Sequence, residues 1–310
     1  MSDAAVPERV EAVCAALSGL RLVRNEPLAS HTTFGIGGPA DVLVEATTDD
    51  EVARVVRAAA HHQVPLFVLG GGSNLLVGDG GIRGVTLTLG GALAELRVVD
   101  EGLRIDVGAA CTFPRLTQAA LSQGWPPAVG WLGTPGQVGG ALVMNAGTRQ
   151  GELGDVVVEV RVAGPAGLAR LPRTACGFGY RTSAFPAGAV LTGALLQCDS
   201  HKSKEVEKLT AMAQEQLTRR RATQPKQRSA GSIFKNPPGD FAGRLIEGAG
   251  LKGVAEGGAR ISDVHANFIV NTGGATAHDV VQLAERARTT VRQRFGVTLE
   301  WEVRRVGEHR

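Results

Sequence analysis

Hydrophobic positions change period several times along the chain. Val6, Val10, Val13 and Leu17 recur at helical spacing near the N-terminus. "DVLVEA" (41–46) reads as a strand. "DDEVARVVRAAAHHQ" (49–63) puts Val52, Val55, Val56 and Ala59 on one helical face, with Asp49 or Asp50 as the expected N-cap. "PLFVLG" (65–70) is a short apolar run of the kind that forms a buried strand. Together these predict a β-α-β unit that ends in a glycine-rich loop, "GGGSN" (70–74).

From 75 to 110 the runs shorten to "VTLTL", "ELRVV" and "LRIDVG", separated by turn residues, which predicts short strands. A helix is expected over 113–123, a long loop over 124–140, and strands at 155–164 and 189–197. Residues 204–221 read as an amphipathic helix with Val206, Leu209, Ala213 and Leu217 inward. Further on come a short helix (241–248), a strand "NFIVN" (267–271) and a helix (277–295). In "VTLEWEV" (297–303), Val297, Leu299, Trp301 and Val303 share one face and Glu300 and Glu302 the other, so a closing strand is expected. The whole divides into three units, 1–88, 89–215 and 216–300, with the C-terminal strand 301–310 able to return to the first.

Composition narrows the class. Glycine makes up 42 of 310 residues, nearly twice the usual share of about 7%. The glycines are clustered and not periodic, which excludes collagen-like and repeat architectures and points to tight turns or close backbone approach to a ligand. A net charge of +3 argues against a general nucleic-acid binder. Cys14, Cys111, Cys176 and Cys198 lie far apart with no C-x-x-C, so a reduced, cytoplasmic protein is expected. Glu8, Arg9 and Glu11 interrupt any secretory signal, and no apolar run approaches the roughly 20 residues of a membrane span. The scattered histidines lack metal-ligand spacing. Nothing in the sequence points to an obligate protein partner.

Two glycine loops carry the first chemistry. "LGGGSN" (69–74) follows a strand, but Leu75 stands where a third glycine of G-x-G-x-x-G would fall, and G-x-x-x-x-G-K-[ST] is absent. Gly70, Gly71, Gly72, Ser73 and Asn74 form either an anion-holding nest or a plain strand-to-strand turn. In "GTPGQVGGALVMNAG" (133–147), Gly133, Thr134, Pro135 and Gly136 make a fixed turn, and Gly139 and Gly140 permit close approach of another backbone or a ligand. Two such loops suggest one ligand carrying two phosphates. A third stretch, "RSAGSIFKNPPGD" (228–240), sets Ser232 amid Arg219, Arg220, Arg221, Lys226, Arg228 and Lys235.

These stretches, with "TTFGIGGPAD" (32–41), "CGFGYRTSAF" (176–185), "SAGSIFKNP" (229–237), "AGRLIEGAGLKG" (242–253), "HANFIVN" (265–271) and "LEWEVRRVG" (299–307), occur in the order of one family. From about residue 28 onward the chain resembles the UDP-N-acetylenolpyruvoylglucosamine reductases (MurB), FAD enzymes of peptidoglycan precursor synthesis in the vanillyl-alcohol-oxidase flavin superfamily. The resemblance implies an α+β fold in three domains. Two would form the FAD-binding unit of that superfamily (1–88 and 89–215), and a C-terminal α+β domain (216–300) would bind substrate. It implies noncovalent FAD held by the two glycine loops, NADPH as co-substrate, and reduction of UDP-N-acetylglucosamine enolpyruvate to UDP-N-acetylmuramate.

The resemblance also implies roles. Ser232 would be the general acid that protonates C2 of the enolpyruvyl group, Glu302 would complete the enolate site, and Arg181 would meet the substrate carboxylate or the flavin side. Asn236 and Arg220 would contact the nucleotide. Read without the family, each has a plainer meaning: a turn serine, the solvated face of an edge strand, or helix-end arginines complementing a dipole. The chain departs from the family at Thr223, where a lysine is usual. That leaves Lys226, Arg228 or Arg221 to supply the missing phosphate contact. Only "TSAFPAGA" (182–189) follows Arg181 and Tyr180 is the single tyrosine, so the loop-less (type II) branch of the family is expected. The alternatives are another flavin oxidoreductase of the superfamily acting on a sugar or alcohol, or a flavin- or nucleotide-binding module without turnover.

Overall fold

The computed structural model describes residues 5–198 and 206–309. In chain order the helices are α1 (Ala5–Ala16), α2 (Asp49–His61), α3 (Phe113–Ser122), α4 (Val138–Val143), α5 (Val206–Thr223), α6 (Ala242–Gly248) and α7 (Ala277–Phe295). The strands are β1 (Arg21–Pro27), β2 (Pro39–Ala46), β3 (Leu66–Val68), β4 (Leu75–Val77), β5 (Ile82–Leu89), β6 (Leu96–Val99), β7 (Arg104–Gly108), β8 (Gly147–Thr148) and β9 (Gly151–Glu152). They continue with β10 (Val157–Gly164), β11 (Gly167–Pro172), β12 (Val190–Gln197), β13 (Ala255–Glu256), β14 (Ala259–Ile261), β15 (Ile269–Asn271) and β16 (Arg304–Val306). The content is α+β, and the chain divides into two compact units.

The first unit comprises residues 1–24, 42–71 and 84–219. One sheet runs β1-β2-β5-β3, with β3 and β5 parallel. A second, antiparallel sheet runs β11-β10-β12-β7-β6. Each sheet has its own apolar cluster. Val10, Val13 and Leu17 of the N-terminal helical segment pack with Val52, Val55 and Val56 of α2 and with Val42 and Val44 of β2. Ile105 and Val107 of β7 pack with Phe113 and Leu116 of α3, Leu142 of α4, and Leu209 and Ala213 of α5. The inward faces read for α1, α2 and α5 are therefore present; the side chains of Val6 and Val206 lie outside the described residues. The four cysteines are buried free thiols, and burial pushes those of Cys111 and Cys176 up.

The second unit comprises residues 25–41, 72–83 and 220–310. It contains the antiparallel sheet β13-β14-β15 and the parallel pair β16-β4. Its core joins Phe34 and Ile36 with Ile233, Phe234, Leu245, Ile246, Ile261, Leu283 and Val291. Thr276 opens α7 with a capping box to Asp279, and Gly296, at φ 70°, closes it left-handed. Asp79 accepts the first two helical N–H groups of α7, Ala277 at 2.8 Å and His278 at 3.0 Å.

Three expectations differ from the structure. Thr48, one residue earlier than expected, caps α2, because its hydroxyl accepts from the Glu51 N–H while Asp49 and Asp50 already lie in the first turn. The loop expected to run to 140 ends earlier: a short 3-10 helix spans Pro126–Trp131 and α4 begins at Val138. Residues 297–303 bury alternate side chains but form no strand; the ladder is β16, paired in parallel with β4. Their backbone groups are spent singly: the Lys235 N–H donates to Glu300 O, the Glu302 N–H to Ile233 O, and Arg288 Nε to Leu299 O. Alternation reports burial, and a ladder needs a partner strand of matching length.

Candidate active site

The first glycine loop links β3 to β4, so a strand follows it, not a helix. Gly72 has φ 58°, and a Cβ there would meet the His31 carbonyl oxygen at 2.1 Å. A Cβ on Gly71 would meet Gly136 Cα at 2.8 Å, so the two glycine loops run backbone against backbone at this point. Gly70 lies beside the Gln137 side chain.

In the second loop, Gly133 and Gly136 have φ of 69° and 99°, conformations open to glycine at no steric cost. The turn is fixed by hydrogen bonds from Thr134 N to Trp131 O and from Phe113 N to Gly136 O. Pro135 is exposed between these two anchored residues. Gly139 packs on Ala109, whereas nothing lies within 4 Å of a Cβ placed on Gly140. Within the first unit, the backbone of Gly70 and Gly71 lies against Gly136 and Gln137, and a backbone contact with so few side chains suits a cofactor that carries a diphosphate. The residues present therefore fit a flavin dinucleotide.

The second unit brings Ser232, Glu302 and Asn74 onto neighbouring segments. Ser232 pairs by a bridge with Phe268, and the following Ile233 N–H donates to Asn267 O at 2.8 Å. On its other side the same segment meets the C-terminal stretch. The Glu302 N–H donates to Ile233 O at 2.8 Å, and Phe234 bridges Trp301, their rings 5.5 Å apart. Asn74 closes the arrangement: its Nδ2 donates to Glu302 O at 3.1 Å, and its carbonyl accepts from Arg304 N at 3.0 Å. The cradle loop is thus tied to the glutamate backbone, and the glutamate backbone to the serine segment. The half-buried Ser232 hydroxyl makes no hydrogen bond among the described residues.

Asn267 is the residue that sequence reasoning missed. It is 3% exposed, its Oδ1 accepts from Phe234 N at 3.0 Å, and its Nδ2 donates to Phe234 O at 2.8 Å. A buried carboxamide with both ends on one backbone residue fixes the strand beside Ser232. An asparagine inside the apolar run "HANFIVN" was the available signal. The Asn267 N–H in turn donates to His265 Nδ1 at 3.2 Å. Burial first, and Lys252 second, hold His265 below its ordinary pKa, which favours the neutral ring that this bond requires.

Arg181 belongs to the first unit. It is one of two central residues of a turn closed by reciprocal Gly179–Thr182 hydrogen bonds, and its φ of 55° is unusual for a non-glycine residue. Its guanidinium donates to Gly147 O at 2.8 Å and lies 5.6 Å from the Tyr180 ring centre. After it, "TSAFPAGA" leads directly into β12 with a tight turn, the Ala189 N–H donating to Pro186 O. No long loop is inserted there.

The remaining basic residues sit on two kinds of structure. Arg220 and Thr223 lie in the last turns of α5, Arg220 half-buried and Thr223 exposed, and the side chain of Arg221 is outside the described residues. Lys226 and Arg228 are exposed on the loop that follows. Arg228 lies across Gly35, where a Cβ would strike its Nη1 at 2.5 Å. Its backbone carbonyl accepts from Asn271 N at 2.9 Å. Asn236 is exposed and uses its Oδ1 to accept the Ala242 N–H at the start of α6.

Among the described residues no three His, Cys, Asp or Glu side chains group as a metal site, and no helix is long and apolar enough to cross a membrane. Residues 224–306 match the C-terminal domain of UDP-N-acetylenolpyruvoylglucosamine reductase, and residues 40–170 match an FAD binding domain. The UDP-N-acetylenolpyruvoylglucosamine reductase of Anaeromyxobacter sp. (strain Fw109-5) is 47% identical over 288 residues, 93% of this chain and 89% of that protein. That of Bacillus velezensis is 40% identical over 94% of this chain and 95% of its own length. The crystal structure of the reductase (MurB) from Thermus caldophilus superposes with a TM-score of 0.78 at 39% identity, over 92% of this chain and 98% of that one. The domain matches, the relatives at 40–47% identity and the shared fold agree: the chain belongs to the UDP-N-acetylenolpyruvoylglucosamine reductase family.

Proposed function

We propose that this protein reduces UDP-N-acetylglucosamine enolpyruvate to UDP-N-acetylmuramate with electrons from NADPH, through noncovalently bound FAD. The observation that supports it most is the pairing of the Ser232 segment with the Glu302 segment, which is in turn tied to Asn74 of the first glycine loop. Gly70, Gly71, Gly72, Ser73 and Asn74, with Gly133, Thr134, Pro135, Gly136, Gly139 and Gly140, hold the cofactor. When bound, FAD supplies the hydride carrier that no side chain provides. The substrate's double bond takes one hydride at C3 and one proton at C2, while NADPH becomes NADP⁺.

Ser232 moves that proton. A hydroxyl is a weak acid, so it protonates only a strongly basic carbon, and among the described residues Ser232 Oγ has no hydrogen bond to give up first. Glu302 completes the site where charge develops. Arg181 meets the enolpyruvyl carboxylate as a planar fork. Arg220, Asn236, Lys226 and Arg228 bind the nucleotide diphosphate. Residues 1–88 and 89–215 serve as the two cofactor-binding subdomains and 216–300 as the substrate domain. Flavin attachment is noncovalent: the nearest histidine to the cradle, His31, is engaged by Glu26 at 2.8 Å. Acid precipitation that left yellow colour on the pellet would contradict this. The protein works in the cytoplasm, a reading supported by the lack, among the described residues, of any helix long and apolar enough to cross a membrane.

The test is product identity. Incubation with UDP-N-acetylglucosamine enolpyruvate and NADPH should consume one NADPH per substrate and give a product heavier by two hydrogens, carrying a lactyl ether. Oxidation of a free sugar or alcohol instead would favour the other superfamily activities.

A further inference from the structure

Gly231, at φ 80° and with nothing within 4 Å of a Cβ placed there, makes a roomy turn immediately before Ser232. Directional anchors must therefore set where the serine stands. On the far side Ile233 is held by Asn267 and Glu302. On the near side, Thr33 Oγ1 donates to the Ser229 carbonyl at 2.8 Å. The backbone N–H of the same Thr33 donates to Gly72 O at 3.1 Å, in the glycine cradle. Its hydroxyl also approaches Gly72 O at 3.4 Å. A threonine hydroxyl has a single hydrogen, and the shorter contact to Ser229 takes it, since the N–H already serves Gly72. Asn271 reinforces the same junction, donating from Nδ2 to Phe34 O at 3.0 Å and from its N–H to Arg228 O at 2.9 Å.

We propose that Thr33 is a positioning residue whose side chain fixes the Ser232 loop against the cofactor cradle. One residue holds Gly72 through its backbone N–H and the proton donor's loop through its hydroxyl, so the spacing of the two is set within a single residue. The inference rests on Ser232 being the proton donor.

Thr33→Val is the discriminating variant, because it keeps the β-branched shape and the N–H to Gly72 and deletes only the bond to Ser229. Flavin content and the rate of flavin reduction by NADPH should be unchanged. Reoxidation by UDP-N-acetylglucosamine enolpyruvate should slow by about five- to tenfold, the loss expected for one ordinary hydrogen bond. Amide hydrogen exchange of the peptide spanning residues 229–234 should speed up, and Thr33→Ser should restore both rates. If Thr33→Val does not fold, Thr33→Ala is read by the same measurements. Equal slowing of both half-reactions, or exchange and reoxidation at wild-type rates, would overturn the proposal. Ser232→Ala is run beside it. If that variant reoxidises normally, the serine assignment has failed; if it slows and Thr33→Val does not, the positioning inference alone has failed.

Discussion

At the residue scale, the proposed reading gives Ser232 and Glu302 the same half-reaction, the one in which substrate reoxidises the flavin. The proton is needed only after the flavin has been reduced. Ser232→Ala is therefore expected to leave flavin reduction by NADPH near the wild-type rate and to slow reoxidation by substrate about 10²–10⁴-fold. Glu302→Gln should show the same asymmetry, and stopped-flow absorbance of each half-reaction measures it. Equal losses in both would make the two residues structural. The diphosphate contact normally given by lysine is the second residue-scale question, because Thr223 offers a hydrogen bond without charge. Arg228 and Lys226 lie on the loop leading to Ser232, clear of α5. A charge-assisted hydrogen bond is worth about 1.5–3 kcal/mol, so alanine at the residue that replaces the lysine should raise the KM for UDP-N-acetylglucosamine enolpyruvate about tenfold or more. The KM for NADPH, measured separately, shows whether the effect is confined to that substrate. If only Arg221→Ala raises it, the end of α5 carries the contact.

At the scale of elements, the serine segment is held by groups whose importance local pattern does not report. Removing the Asn267 carboxamide with Asn267→Ala leaves the buried Phe234 N–H and C=O without their side-chain partner, at a cost of about 1–3 kcal/mol for each group left unsatisfied. A urea unfolding midpoint well below wild type is expected, and an unchanged midpoint would show that another group takes over both bonds. Helix faces were legible in the sequence because burial repeats every turn: Val52, Val55 and Val56 of α2, and Leu209 and Ala213 of α5, are buried as their spacing required. The closing strand was misplaced because the alternation of Val297, Leu299, Trp301 and Val303 records which side chains are buried. It does not record which backbone groups find a partner strand. The cap of α2 was misread for a related reason. Thr48, Asp49 and Asp50 all have capping side chains, and only the backbone shows that Thr48 is the residue outside the helix.

Across the whole molecule, the glycine loops and the order of motifs made the family and the cofactor readable without coordinates. The asparagine clamp and the Thr33 bridge were not readable, because each joins residues far apart in sequence through backbone carbonyls that carry no side-chain signature. The central claim is that one chain passes electrons from NADPH to an enolpyruvyl nucleotide through its own flavin. The most direct measurement is the absorption spectrum of the purified protein under anaerobic conditions. It should show an oxidised flavin band, lose it on addition of NADPH, and regain it when UDP-N-acetylglucosamine enolpyruvate is added. A flavin that NADPH bleaches but the enolpyruvyl nucleotide does not reoxidise, or a band that NADPH leaves untouched, would contradict the account.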